Sequence, residues 1–143
     1  YFNTYGPNQS FTPYVGVITI FIRRLLAGQP PVIFGDGEQR RDFVHVDDIV
    51  SANLGVLEAL EADVAGRVFN VGSGHATSVN EVASGLIDVI APGLQPEYAP
   101  AQPGELRNAI ADPSALAAVL GWTPRAGVDF SGVVEFWRAR LNG

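Results

Sequence analysis

Between Gly35 and Asp48 the sequence reads Gly-Asp-Gly-Glu-Gln-Arg-Arg-Asp-Phe-Val-His-Val-Asp-Asp, and these fourteen residues leave the backbone few choices. The glycines and acids make a tight turn, the apolar run from Phe43 makes a short strand, and Asp47 or Asp48 caps a following helix. Side chains alternate across a strand, so Arg41 and Phe43 are expected on one face and Asp42 and Val44 on the other. A guanidinium beside an aromatic ring suits a phosphate joined to a planar base.

The rest of the chain supplies elements around this stretch. Tyr1–Tyr5 has strand content and ends in the turn Gly6-Pro7-Asn8-Gln9. After a loop over Ser10–Tyr14, the residues Val17, Ile18, Phe21, Ile22, Leu25 and Leu26 form a helical stripe that Gly28 stops. Val32–Phe34 is a brief strand. Ile49, Asn53, Val56, Leu57 and Leu60 are expected on one face of a helix running to Asp63–Gly66, and Arg67–Val71 as a strand covered on both sides. Ser78 and Glu81 make a capping box for a helix bearing Val79, Val82, Ala83, Leu86, Val89 and Ile90. Residues Gln95–Arg107 read as extended loop with one short strand. Asp112-Pro113 opens a short helix closed by Gly121, and Asp129 caps a last helix with Phe130, Val133, Val134, Trp137 and Leu141 inward. Helices separating apolar strands indicate an α/β fold with parallel pairing. Two lone strands make a poor parallel sheet, so sequence on the N-terminal side is expected to supply the rest.

Composition narrows the classes of function. The chain has 143 residues, 47% of them hydrophobic and 17% charged, with a net charge of −6, which argues against nucleic acid as partner. No apolar run is long enough for a membrane helix, and a cytoplasmic protein is expected. Cysteine is absent, so there is no disulfide, thiolate nucleophile or cysteine zinc site. All nine basic residues are arginine; a lysine base or proton relay cannot come from within the chain.

Several ordered motifs together resemble the extended short-chain dehydrogenase/reductases. They are Tyr1-Phe2-Asn3-Thr4-Tyr5-Gly6-Pro7, the run from Gly16 to Phe21, Phe34-Gly35-Asp36-Gly37, Arg41 to Asp48, Phe69-Asn70-Val71-Gly72-Ser73-Gly74 and Pro103-Gly104-Glu105. The chain looks like the C-terminal, substrate-binding half of an NAD-dependent nucleotide-sugar epimerase/dehydratase. Its Pro-Tyr-Val-Gly-Val-Ile loop and Gly-Asp-Gly-Glu-Gln-Arg-Arg-Asp-Phe run most resemble UDP-hexose 4-epimerases, including those acting on N-acetylated sugars. The resemblance implies that residues 1–5 and 67–71 belong to a Rossmann-like dinucleotide-binding sheet completed by N-terminal sequence, with a homodimer in the full-length protein. The reaction it implies inverts sugar C4 through a 4-keto intermediate, using NAD and a tyrosine–lysine pair that this chain lacks; the chain alone is expected to be inactive. A nucleotide-sugar binding module, or part of a dehydratase or decarboxylase, stays open as an alternative.

The same resemblance assigns roles to positions. Asn3 would bond the sugar or diphosphate, Tyr1 and Phe2 would lie beside the nicotinamide, Val17 would touch the base and Phe34 would stack on the uracil. Arg41 would grip the diphosphate, Phe43 would pack on the ribose side, and Glu105 would stand near the ribose hydroxyls. Gln102 departs from the pattern, since the family commonly has arginine there, and Arg107 is a candidate substitute. No catalytic residue and no metal site is assigned.

Each position also has a plainer reading. Phe34 is simply core, Arg40 and Arg41 a solvated turn, Asn3 a bridge between loops, and Gln102 plain loop. His45, with no second ligand at metal spacing, reads as a satisfied structural histidine; His75 reads as surface. Ser73 lacks the context of a nucleophile.

Overall fold

The structure is a computed structural model that describes residues 1–12, 15–125 and 127–141. Pro13 and Tyr14, which begin the Pro-Tyr-Val-Gly-Val-Ile loop, lie outside the described residues. The chain opens with strand β1 (Asn3–Tyr5), then helix α1 (Val17–Leu26), strand β2 (Val32–Phe34), strand β3 (Arg40–Arg41) and strand β4 (Phe43–His45). Helix α2 (Val46–Glu58) and the single turn α3 (Glu61–Val64) follow, then strand β5 (Thr77–Ser78) and helix α4 (Val79–Ile90). Strands β6 (Glu97–Ala99) and β7 (Asn108–Ala109) lead to helices α5 (Ser114–Leu120) and α6 (Ser131–Leu141). This is the α/β class expected, with the one short strand of the Gln95–Arg107 segment at β6 and a further strand, β7, just beyond it.

β1 and β4 pair in parallel with Asn3 opposite Phe43 and Tyr5 opposite His45. β2 pairs in parallel with β6, and β3 lies between antiparallel β5 and parallel β7. β3 and β4 are nearly one strand that changes neighbours at Asp42. The Asp42 N–H donates to the carbonyl of Ala109, the last residue of β7, and the Asp42 carbonyl accepts from the N–H of Asn3 in β1.

Alternation across β4 separates two apolar layers. Phe43 joins the larger core, where α1, α4 and α6 bury Ile18, Phe21, Ile22, Val82, Leu86, Val133 and Trp137 against Ile33. Val44 joins the smaller one with Ile49, Ala52, Val71, Leu116 and Trp122. The capping box at the head of α4 forms as expected, with the Ser78 hydroxyl accepting from the Glu81 N–H and the Glu81 carboxylate accepting from the Ser78 N–H. Gly28, at φ 71°, follows the Ala27 cap of α1 in the left-handed conformation that favours glycine.

Four expectations are corrected. α2 is capped by His45, whose Nδ1 accepts from the Asp47 N–H, and Asp47 and Asp48 sit in its first turn. The helix stops at Glu58, and its inward face is Ile49 and Ala52, while Leu57 and Leu60 are exposed. Residues 67–71 form no strand; their one ladder-like bond runs from the Phe2 N–H to the Val71 carbonyl, and Val68 is 94% exposed. A strand is defined by its neighbours, and apolar content alone does not provide them. At the ends of α4 and α6 the inward residue is Ile87 rather than Val89, and Leu141 is exposed.

Candidate functional site

β1, the head of α1, the end of β2 and the β3–β4 switch surround a cleft of about 490 Å³. Asn3, Val17, Phe34, Arg41, Phe43, Gln102 and Glu105 all line it. The alternation read from the sequence therefore holds: Arg41 and Phe43 face the cleft, and Asp42 and Val44 turn away. Phe34, at the end of β2, leaves 40% of its surface open, because its strand neighbour Ile33 takes the core position. Tyr1 and Phe2 lie apart from the cleft lining; the Tyr1 hydroxyl donates to Asn53 and its ring is largely exposed.

Arg41 is held in place by its neighbours. Its Nη2 donates to Glu105 Oε1 at 3.3 Å and its Nη1 to the carbonyl of Arg40 at 2.9 Å. A guanidinium carries five N–H donors, so these two bonds leave others for a ligand anion. Asn3 is tied down as well, its side-chain amide donating to the Asp42 carbonyl at 3.0 Å. Its oxygen stays available as an acceptor for a ligand hydroxyl.

The sequence reading missed Gln39, which is buried and lines the cleft. Its Nε2 donates to the Phe34 carbonyl at 3.0 Å and reaches Glu105 Oε2 at 3.5 Å, so it links the candidate base platform to the candidate ribose acid. Its position two residues before Arg41 in an extended run was the available signal. Tyr5 also lines the cleft. Its hydroxyl accepts from the Asp129 N–H, and burial, the largest cause, raises its pKa above the ordinary value. It therefore stays protonated near neutral pH and is poorly suited to act as a base.

Gln102, Glu105, Phe34 and Gln39 also border a second cavity of about 250 Å³. Arg107 lies there, its Nη1 donating to Asp36 Oδ1 at 2.7 Å. That bond holds the Asp36 carboxyl below the usual carboxylate range. Arg107 thus lines the cavity beside the main cleft, paired with Asp36.

The remaining candidates resolve toward structure. His45 is buried edge-on against Tyr5 as the α2 cap. His75 is exposed. The Ser73 hydroxyl donates to Asp42 Oδ1 at 2.7 Å. Asp48 and Asp47 both receive Arg125, at 3.1 and 3.5 Å. Among the described residues no cluster of His, Asp or Glu has metal-ligand geometry, and no helix is long and apolar enough to cross a membrane.

Parallel strands with flanking helices define an α/β protein, and its cleft is lined by both a guanidinium and a part-exposed aromatic ring. The chain belongs to the NAD dependent epimerase/dehydratase family, whose pattern matches residues 1–72. It is 38% identical over 138 residues to the UDP-glucose 4-epimerase of Mycolicibacterium smegmatis, covering 95% of this chain and 43% of that protein. It is 34% identical over 135 residues to a dTDP-glucose 4,6-dehydratase of Actinoplanes, covering 93% of this chain and 40% of that one. Among solved structures, UDP-glucose 4-epimerase of Thermotoga maritima with UDP-glucose superposes with a TM-score of 0.88 at 37% identity, covering 98% of this chain and 45% of that one. The chain thus spans less than half the length of these relatives.

The family is NAD dependent, and the residues described do not make a dinucleotide phosphate site on their own. The Gly72-Ser73-Gly74 turn is the glycine-rich candidate, but the N–H groups of Ser73 and Gly74 point onto the Asp42 carboxylate. With those donors occupied, the turn is a clasp and does not fit a pyrophosphate.

Proposed function

We propose that this chain is the substrate-binding part of a UDP-hexose 4-epimerase-like enzyme, and that its cleft holds the nucleotide while the sugar is left free to turn. The observation that carries this reading is the convergence of Arg41, Phe34, Asn3 and Glu105 on one cavity. The guanidinium meets the diphosphate, the exposed ring carries the base, and the acid faces the ribose hydroxyls. Fixing the nucleotide at several points confines motion to the sugar, so that binding energy orients the reacting carbon. Catalytic groups and most of the cofactor site lie, on this reading, in sequence beyond this chain, with Tyr1 and Phe2 at the nicotinamide's edge.

The exposed apolar surface supports that division. Val50, Leu54 and Leu57 recur along the outer face of α2, each more than half exposed, and Leu60 and Val68 are exposed as well. In the whole protein, residues 1–5, with Val71 already bonded to Phe2, lie at the edge of the dinucleotide-binding sheet, which covers this face. Similarity to the Actinoplanes dehydratase supports a second reading within the family, on a dTDP-sugar.

Calorimetric titration of the full protein with UDP and with dTDP tests both. Arg41→Ala removes a charge-assisted contact of about 1.5–3 kcal/mol, so UDP should bind roughly ten- to a hundredfold more weakly. Phe34→Ala removes base stacking of about 1–3 kcal/mol. UDP affinity unchanged by both substitutions would remove the nucleotide from this cleft; a clear preference for dTDP would favour a dTDP-sugar substrate over a UDP-sugar.

A further inference from the structure

Asp42 lies at the strand switch, is fully buried, and has no cation paired with it among the described residues. Its Oδ1 accepts from the N–H and the hydroxyl of Ser73, both at 2.7 Å. Its Oδ2 accepts from the N–H of Gly74 at 2.8 Å and of Ala111 at 3.1 Å. A buried charge without a counterion is costly, and here four donors offset that cost. Four convergent donors also explain why the group is a carboxylate: an amide of the same shape has one acceptor oxygen, and its NH2 would face N–H groups.

The main chain of the same residue orients the cleft. Its carbonyl accepts from both the backbone and the side-chain nitrogens of Asn3, at 3.1 and 3.0 Å. Its sequence neighbours Arg41 and Phe43 both line the cavity. A shift of Asp42 therefore disturbs three of the candidate ligand residues at once, although its own side chain points away from the ligand.

We propose that Asp42 is a positioning residue for nucleotide binding: its carboxylate clasps the Ser73–Gly74 turn and Ala111, fixes the strand switch, and so aims Arg41 at the diphosphate. This rests on the functional reading above and deepens it. The clasp joins three segments distant in sequence, so the aim of Arg41 depends on turns that never touch the ligand.

The test is a double-mutant cycle on UDP affinity, by calorimetry of the full protein, using Asp42→Asn, Arg41→Ala and the pair. Asp42→Asn should weaken UDP binding about tenfold, and in the Arg41→Ala background that loss should shrink to about two- to threefold, the share carried by Asn3 and Phe43, because Asp42 acts chiefly through Arg41. Ser73→Ala, which deletes one of the four donors and spares the charge, should weaken binding about two- to threefold and add little to Arg41→Ala. A merely structural role would lower the unfolding midpoint without this non-additivity. Wild-type affinity in folded Asp42→Asn or Ser73→Ala, or effects that multiply with Arg41→Ala, would overturn the proposal while leaving the functional reading intact. A wild-type protein that does not bind UDP would instead remove the functional reading, and the positioning role with it.

Discussion

Replacing Gly72 with alanine presses on the Asp42 clasp from the side. Gly72 is buried, and its φ is not in the left-handed region, so the substitution acts through space alone. A Cβ at this position would overlap Ala111 Cβ and sit 2.8 Å from Asp42 Oδ2. Carbon atoms normally rest about 3.5–4.0 Å apart, so Ala111 or the carboxylate must move by about 1 Å. Either movement breaks the 3.1 Å bond between the Ala111 N–H and Asp42. Overpacking costs about 1–3 kcal/mol, and loss of a bond to a charged acceptor about 1.5–3 kcal/mol. Together they predict a loss of roughly 2.5–6 kcal/mol, a large share of the about 5–15 kcal/mol typical of a folded domain. Urea unfolding followed by far-UV circular dichroism measures it as a lower midpoint with an unchanged slope. A midpoint shift worth under about 0.5 kcal/mol would mean that Ala111 and Asp42 are not packed as described.

Gly132→Ala is the matching control. Its Cβ would meet nothing within 4 Å, and it lies inside α6, so helix propensity alone should raise stability by about 0.5 kcal/mol; a clear loss in the same urea assay would contradict the open surface there. Ser78→Ala removes the cap of α4 and should cost about 1 kcal/mol. The capping box also has a pH signature. The Ser78 N–H holds the Glu81 carboxyl below its ordinary value of 4.5, so its contribution is complete above that pH and is lost as pH falls through the lower folded value. Glu81→Gln should remove that acid-side slope from the urea midpoint, and an unaltered slope would assign it to other carboxylates. The exposed apolar face of α2 should make the isolated chain self-associate; Leu57→Glu, at a position 79% exposed, should leave stability within about 0.5 kcal/mol and reduce that association in light scattering, and an unchanged association would place the sticky surface elsewhere.

Local rules made much of this molecule legible before any fold was known. Alternation over two residues put Arg41 and Phe43 on one face, a capping box opened α4, and a glycine followed the end of α1. Each depends on geometry within about one helical turn or two strand positions. The same rule, extended two residues back, would have found Gln39.

Tertiary structure decided what those faces meet. Glu105 reaches Arg41 across 64 residues, and Ser73 and Ala111 converge on Asp42 across 31 and 69. No local pattern encodes such meetings, because they arise from the packing of whole elements. Apolar content at 67–71 read as a strand, yet a strand exists only where another backbone completes its ladder. Asp47 and Asp48 are common caps, but the fold places His45 where the first helical N–H is free and turns both acids toward Arg125. The sequence alone determined the helices, most of the longer strands and the residue types able to hold a phosphate and a base; only the three-dimensional packing decided which short segments pair as strands and that those residues share one cleft, since contact between distant segments is a property of the whole chain.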